Sequence, residues 1–150
     1  MSERDEVAAA VENELTLLSR YHAHAQRAGF QLDRSAYLLL GRLELEHPLS
    51  LKQLAEAFRL DISTVNRQIA SLRTKGLVER INDPDGGIAR LLRPTRRGLA
   101  LLHRDRTVRH GQVSQVLDDW PPQDVERLHA LLAKFNSSIE ALEGQAWPRP

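Results

Sequence analysis

The stretch "ISTVNRQIASLRTK", Ile62 to Lys75, holds the residues of this chain best suited to contact chemistry. Its apolar residues Val65, Ile69 and Leu72 recur at helical spacing and form one stripe on a wheel of about 100° per residue. Ser63, Arg67, Ala70, Ser71 and Thr74 fall on the opposite side, with Thr64 and Asn66 on its flanks. Hydroxyls and amides bond phosphate oxygens and base edges, and an arginine can grip guanine O6 and N7 with two hydrogen bonds. Apart from Arg67 these side chains are short, so another surface can come close. A face that is only solvated would carry long charged residues. None of positions 63, 64, 66, 70, 71 and 74 is Lys, Glu or Asp.

Other chemistry is poorly supported. The chain has no cysteine, which removes disulfides, thiolate metal sites and thiol redox sensing together. It has no phosphate-cradling glycine loop and no recognisable serine–histidine–acid order. His22 and His24 are about 200° apart on a helix, and His103 and His110 share a face about 10 Å apart, so neither pair chelates one ion. No metal, no cofactor and no enzymatic activity are therefore expected.

The elements that must position the Ile62–Lys75 face can be read from period and punctuation. Val7, Val11, Leu15, Leu18, Tyr21 and Ala25 give a first helix, about Glu3–Ala28, with Gly29 as its stop. A second starts near Asp33 and ends before Pro48. "SLKQLAEAF" opens with a Ser50–Gln53 capping box and presents Leu51, Leu54, Ala55 and Phe58 on one face. Only Arg59–Leu60–Asp61 separates it from the next helix, with Asp61 as the expected cap and Gly76 in the left-handed position beyond the end. Two short helices so tightly joined form a helix-turn-helix unit, whose second helix enters the major groove. "LVERI" and "IARLLRP", split by "NDPDGG", predict a hairpin. Thr95 caps a long helix to about Asp119, and Pro121–Pro122 opens a last one. In that last helix Val125, Leu128, Leu132, Phe135, Ile139 and Leu142 step as a heptad seam, able to pack on a second copy.

Charge agrees with this layout. The net charge is only +1, yet Ser63–Arg97 holds eight basic residues against three acidic ones. The first fourteen residues carry five acids against Arg4, and Asp118–Glu143 carries six against two basic residues. A basic centre between acidic ends suits a polyanion. No apolar run approaches the roughly 18 residues of a membrane span. The acidic "MSERDEVAAA" lacks a signal-peptide core, so a cytoplasmic location is expected. The long helix has a polar waist, "HRDRTVRHGQ". Arg104, Arg106 or His110 there could pair with an anionic effector, with Tyr21, His24 and Tyr37 as aromatic and polar walls. A solvated or intersubunit stretch is the preferred reading of this waist.

The run "SLKQLAEAFRLDISTVNRQIASLRTKGLVER", followed by a turn, a strand and "TRRG", resembles the winged helix-turn-helix of MarR-type transcriptional regulators. Leu51–Leu54–Ala55, Ser63–Thr64–Val65–Arg67, Leu72–Gly76–Leu77–Val78–Arg80 and Thr95–Gly98 are the matching positions, within about Leu49–Gly98. The resemblance implies a mainly α fold with a small β-hairpin wing. Residues 33–98 would be the winged helix-turn-helix, and 1–32 with 99–150 the helical dimerisation region. It implies a homodimer on a pseudo-palindromic operator in double-stranded DNA, with repression relieved by a small aromatic or anionic effector. Ser63, Thr64, Asn66, Arg67, Ala70, Ser71 and Thr74 would then read bases, while Arg34, Ser50, Arg90 and Arg93 hold phosphates. Val7, Val11, Leu128, Leu132, Phe135 and Ile139 would join the subunits. The chain departs from the family at the wing tip, where Gly87 and Ile88 replace the expected arginines and Arg90 is the nearest substitute. A winged protein-interaction module, or an activator, stays open as the alternative.

Overall fold

The computed structural model describes residues 1–25 and 29–150, the side chains of residues 23–25 excepted. Among the described residues, six helices and one hairpin follow in order: α1 (Glu3–Ala25), α2 (Arg34–Leu45), α3 (Leu51–Phe58), α4 (Ile62–Thr74), β1 (Val78–Asn82), β2 (Arg90–Pro94), α5 (Arg96–Val116) and α6 (Pro122–Glu143). The expected end of the first helix at Ala28 lies outside the described residues.

Local chemistry places most boundaries. The Asp33 carboxylate accepts from Ala36 N–H at 2.8 Å and starts α2. Ser50 and Gln53 close a reciprocal capping box at 3.1 and 2.8 Å, satisfying two donors left free by the first turn of α3. Gly76, at φ 71°, ends the α4 segment with Leu77 N–H on the Leu72 carbonyl and Gly76 N–H on the Arg73 carbonyl. That 6→1, 5→2 pair is a Schellman stop. Arg59 closes α3 in the same way at φ 53°, where a non-glycine residue is strained.

Two boundaries differ from the sequence reading. Asp61 has the backbone of an N-cap, but its side chain makes no capping bond. The left-handed turn at Arg59 already sets the entry to α4, so the carboxylate is not needed for it. Helix α5 stops at Val116 rather than near Asp119. Leu117 N–H is shared between the Val113 and Ser114 carbonyls, and Trp120 N–H reaches back to Leu117. These tightened bonds, ahead of a proline pair that disfavours helix before it, unwind the last turn.

The core sits in the middle of the chain. Leu39, Leu40 and Leu43 of α2, Leu54 of α3, Val65, Ile69 and Leu72 of α4, Leu77, Val78, Leu92 and Leu102 form one buried cluster. The hairpin pairs Val78 with Pro94 through Asn82 with Arg90, antiparallel. Leu49 adds a single bridge on the other edge of β2, exchanging both backbone bonds with Leu92 at 3.0 and 2.7 Å. That bridge ties the α2–α3 loop to the wing. At its other end, Thr95 Oγ1 donates to the Gly76 carbonyl at 2.6 Å and accepts from Gly98 N–H at 3.0 Å. A Cβ on Gly98 would lie 2.1 Å from the Leu77 carbonyl oxygen. The "T-x-x-G" pattern is thus a joint between wing and α5: the hydroxyl bridges two elements, and the glycine lets them touch.

A candidate nucleic-acid interface

Val65, Ile69 and Leu72 are 0%, 1% and 3% exposed, so the inner face of α4 is clamped to the core. Its outer face is then open by geometry. Ser63, Asn66, Arg67, Ala70, Ser71 and Thr74 are all exposed, with Thr64 half-buried beside them. Thr74 Oγ1 donates to the Ala70 carbonyl at 3.0 Å, which leaves its lone pairs to accept. Gln68, on the side of the helix, donates to Ser35 Oγ at 3.2 Å and pins α4 to the start of α2. Arg34 is exposed next to that contact. Asp33, Ser35, Arg67, Gln68, Ser71 and Lys75 line a concave groove of about 270 Å³ between the two helices. With Asp61 making no capping bond, the first N–H groups of α4 lack a side-chain partner and favour a negative group.

Ser50 is only partly available, because its oxygen accepts from Gln53 N–H; its own hydrogen remains free to donate. On the wing, Arg90 is exposed at the first rung of β2. Arg93 is exposed too, but its Nε donates to Glu79 across the strands at 2.7 Å. The pairing offsets part of its charge and leaves the Nη groups for a phosphate. At the tip, Gly86 adopts φ 82° and Ile88 is fully exposed. No arginine side chain occupies that apex.

The expected effector walls do not gather at one place. Tyr21 lines an open apolar groove of about 730 Å³ with Val7, Val11, Val116, Trp120 and Leu128. The His24 side chain lies outside the described residues. Arg104 and His110 are exposed. Arg106 donates to Glu44 at 2.5 Å, and His103 bonds the other Glu44 oxygen. The Arg106 hydrogen bond holds the Glu44 carboxyl below its ordinary range, with His103 adding to it against partial burial. Arg106 is correspondingly pushed up. Arg106 is therefore spoken for.

A buried cation that the sequence reading passed over is Arg109. Its guanidinium lies 4.0 Å over the Tyr37 ring and 4.2 Å over the Phe30 ring. Nε and Nη2 are buried with no hydrogen-bond partner among the described residues. Partial burial, then the positive charges of Arg34 and Arg109, hold the His22 imidazole below its ordinary value. One turn away, Asp105 is fully buried and accepts from the Gln31 and Leu32 backbone N–H groups at 3.1 and 2.8 Å. Leu102, Asp105 and Arg109 continue one helix face, a periodicity by which both polar residues could have been found.

Of the residues expected to join two subunits, Val7, Val11, Leu128 and Leu132 line the same apolar groove as Tyr21, whereas Ile139 lies beside Trp147 and Arg149. Val7 and Val11 on α1, and Leu132, Phe135 and Ile139 on α6, are exposed, with Leu128 half-buried among them. No residue of α6 is buried. Leu142 points the seam furthest into solvent, at 89% exposure.

Comparison with known proteins agrees with this geometry. The MarR family profile matches residues 30–87, from the Arg109-stacking Phe30 to the wing tip. The uncharacterized HTH-type transcriptional regulator YxaD of Bacillus subtilis (strain 168) is 38% identical over 132 residues, 86% of this chain and 92% of that protein. Among solved structures, a MarR family protein from Bacillus stearothermophilus superposes with a TM-score of 0.81 at 20% identity, covering 93% of this chain and 98% of that one. A mutant MarR from E. coli, solved in complex with operator DNA, gives 0.67 at 16% identity over 90% and 99% of the two chains. A buried α4 stripe, a short-chained outer face, a Leu49-braced wing and this relatedness lead to one conclusion: the chain belongs to the MarR family of winged helix-turn-helix, DNA-binding transcriptional regulators.

Proposed function

We propose that the protein is a cytoplasmic repressor that binds a pseudo-palindromic operator as a homodimer and lets go when a small anionic effector binds. The observation that carries DNA reading is the outer face of α4: exposed, short-chained around Arg67, and held at its inner face by a core that leaves it no freedom to turn. Ser63, Thr64, Asn66, Arg67, Ala70, Ser71 and Thr74 read the major groove. Arg34, the Ser50 hydroxyl hydrogen, Arg90 and the remaining Arg93 groups hold phosphates.

Dimerisation is supported by the apolar α1–α6 face, which is larger than isolated surface residues produce and marks an interaction surface. Residues 1–32 and 99–150 form the dimerisation region and 33–98 the reading domain. An effector with a carboxylate or phenolate is supported by two Arg109 nitrogens between aromatic rings that find no partner among the described residues. The protein acts through binding rather than catalysis. An activator would use the same contacts, so the regulated promoter decides the sign.

Selection of bound duplexes from a random pool tests this directly, with affinity then followed against salt. An inverted repeat with half-sites about one helical turn apart, and a steep loss of binding in salt, is expected. Addition of benzoate to the selected complex should weaken it, and Arg109→Ala should abolish that response. A salt-insensitive, sequence-blind result would point to a protein partner for the winged unit instead.

A further inference from the structure

The chain continues past α6 and folds back. Gly144, at φ 71°, closes the helix with Gln145 N–H on the Glu140 carbonyl at 3.1 Å and its own N–H on Ala141 at 3.4 Å. This Schellman turn reverses the direction of the last residues. Arg149 then clasps both Glu140 oxygens at 2.5 and 3.2 Å and donates to the Trp147 carbonyl at 2.9 Å. Pro148 and Pro150 stiffen the segment by fixing φ.

The clasp delivers Trp147 to the reading unit. Its ring stands edge-on to Phe58 at the end of α3, with centroids 5.1 Å apart at 83°. On its face lies the Arg42 guanidinium of α2, 4.5 Å from the ring centroid. Arg42 is only 7% exposed, spends Nε and Nη2 on Glu46, and leaves Nη1 buried with no partner among the described residues. The electron-rich indole face compensates that incompletely bonded cation. Arg59, the strained left-handed residue two places before the α4 cap, donates to the Glu143 carbonyl at 3.4 Å.

We infer that residues 145–150 are a strap whose Trp147 is a positioning residue for DNA binding. Since α6 buries no residue of its own in the core, the strap joins the dimerisation helix to α2 and α3, and fixes the angle at which α4 is presented. In a dimer that angle sets the distance and rotation between the two reading helices, and so the half-site spacing the protein accepts. The inference rests on the dimeric DNA reading proposed above.

The test uses duplexes carrying the selected half-sites with one or two base pairs inserted or removed between them, competed against the parent. Each inserted pair rotates a half-site by about 34°. The wild type should discriminate by about tenfold or more, the scale of a mismatched pair. Trp147→Ala, still dimeric by sedimentation, should accept the altered spacings within about threefold, while Trp147→Phe restores discrimination. Arg149→Ala, which unlatches the strap from its exposed side, should move the same way and guards against misfolding of the first variant. Either variant remaining a folded dimer with the wild-type spacing profile would overturn the inference. A wild type that binds no duplex at any spacing would instead overturn the DNA reading on which it stands.

Discussion

The carboxylate of Asp105, in the middle of α5, accepts the Leu32 backbone N–H at 2.8 Å just before α2 begins. Gln31 N–H binds the other oxygen at 3.1 Å. This buried side chain satisfies two backbone donors of the loop and couples the long helix to the start of α2. Asp105→Asn presents an NH2 to one of those donors. It should cost about 1–3 kcal/mol, the penalty of an unsatisfied buried group, read as a lower denaturation midpoint. An unchanged midpoint would mean that the loop finds other partners.

Gly98 has no room for a methyl group. The nearest atom to its missing Cβ is the backbone oxygen of Leu77, which cannot rotate away. Gly98→Ala should therefore lose roughly 3 kcal/mol, the upper end of the overpacking range. Equilibrium urea unfolding checks it, with Gly111→Ala as control, because nothing crowds that position.

Acid should weaken the fold in two steps. His22 is held below the ordinary histidine value by partial burial and then by Arg34 and Arg109. Its neutral form is favoured in the folded state, so its contribution is present above pH 6.5 and is lost as pH falls below that. Glu44 is held below its ordinary 4.5 by Arg106 and His103, so its contribution is present above that value and is lost as pH falls through the depressed one. Stability measured from pH 7.5 to 3.5 should lose its first step in His22→Gln and its second in Glu44→Gln. Both variants retaining the wild-type profile would assign the acid response elsewhere.

The wing should contribute charge more than sequence. Arg90→Ala is expected to reduce the slope of log affinity against log salt by about 1, without altering sequence preference. Ile88→Arg, at a fully exposed apex, should raise affinity and steepen that slope by a similar amount.

Much of this was legible in the residues, for a local reason. The α4 stripe Val65–Ile69–Leu72, the Ser50–Gln53 box and the Gly76 stop all depend on residues within seven positions of one another. Arg109 and Asp105 were not legible in the same way. Both sit in a run that reads as a solvated waist, and their partners Phe30, Gln31 and Leu32 lie more than 70 residues away. Trp147 gave no period at all; only the folded chain puts it against Arg42 and Phe58. The missing Asp61 cap shows the converse, a good local signal displaced by the left-handed turn two residues earlier.

The central claim is that α4 reads bases, and the most direct measurement compares the motifs selected by wild type and Arg67→Ala from the same random pool. Loss of preference at one position in each half-site, with about 1–3 kcal/mol of specific affinity lost and the rest of the motif kept, is the predicted result. An identical motif bound with undiminished affinity would contradict it.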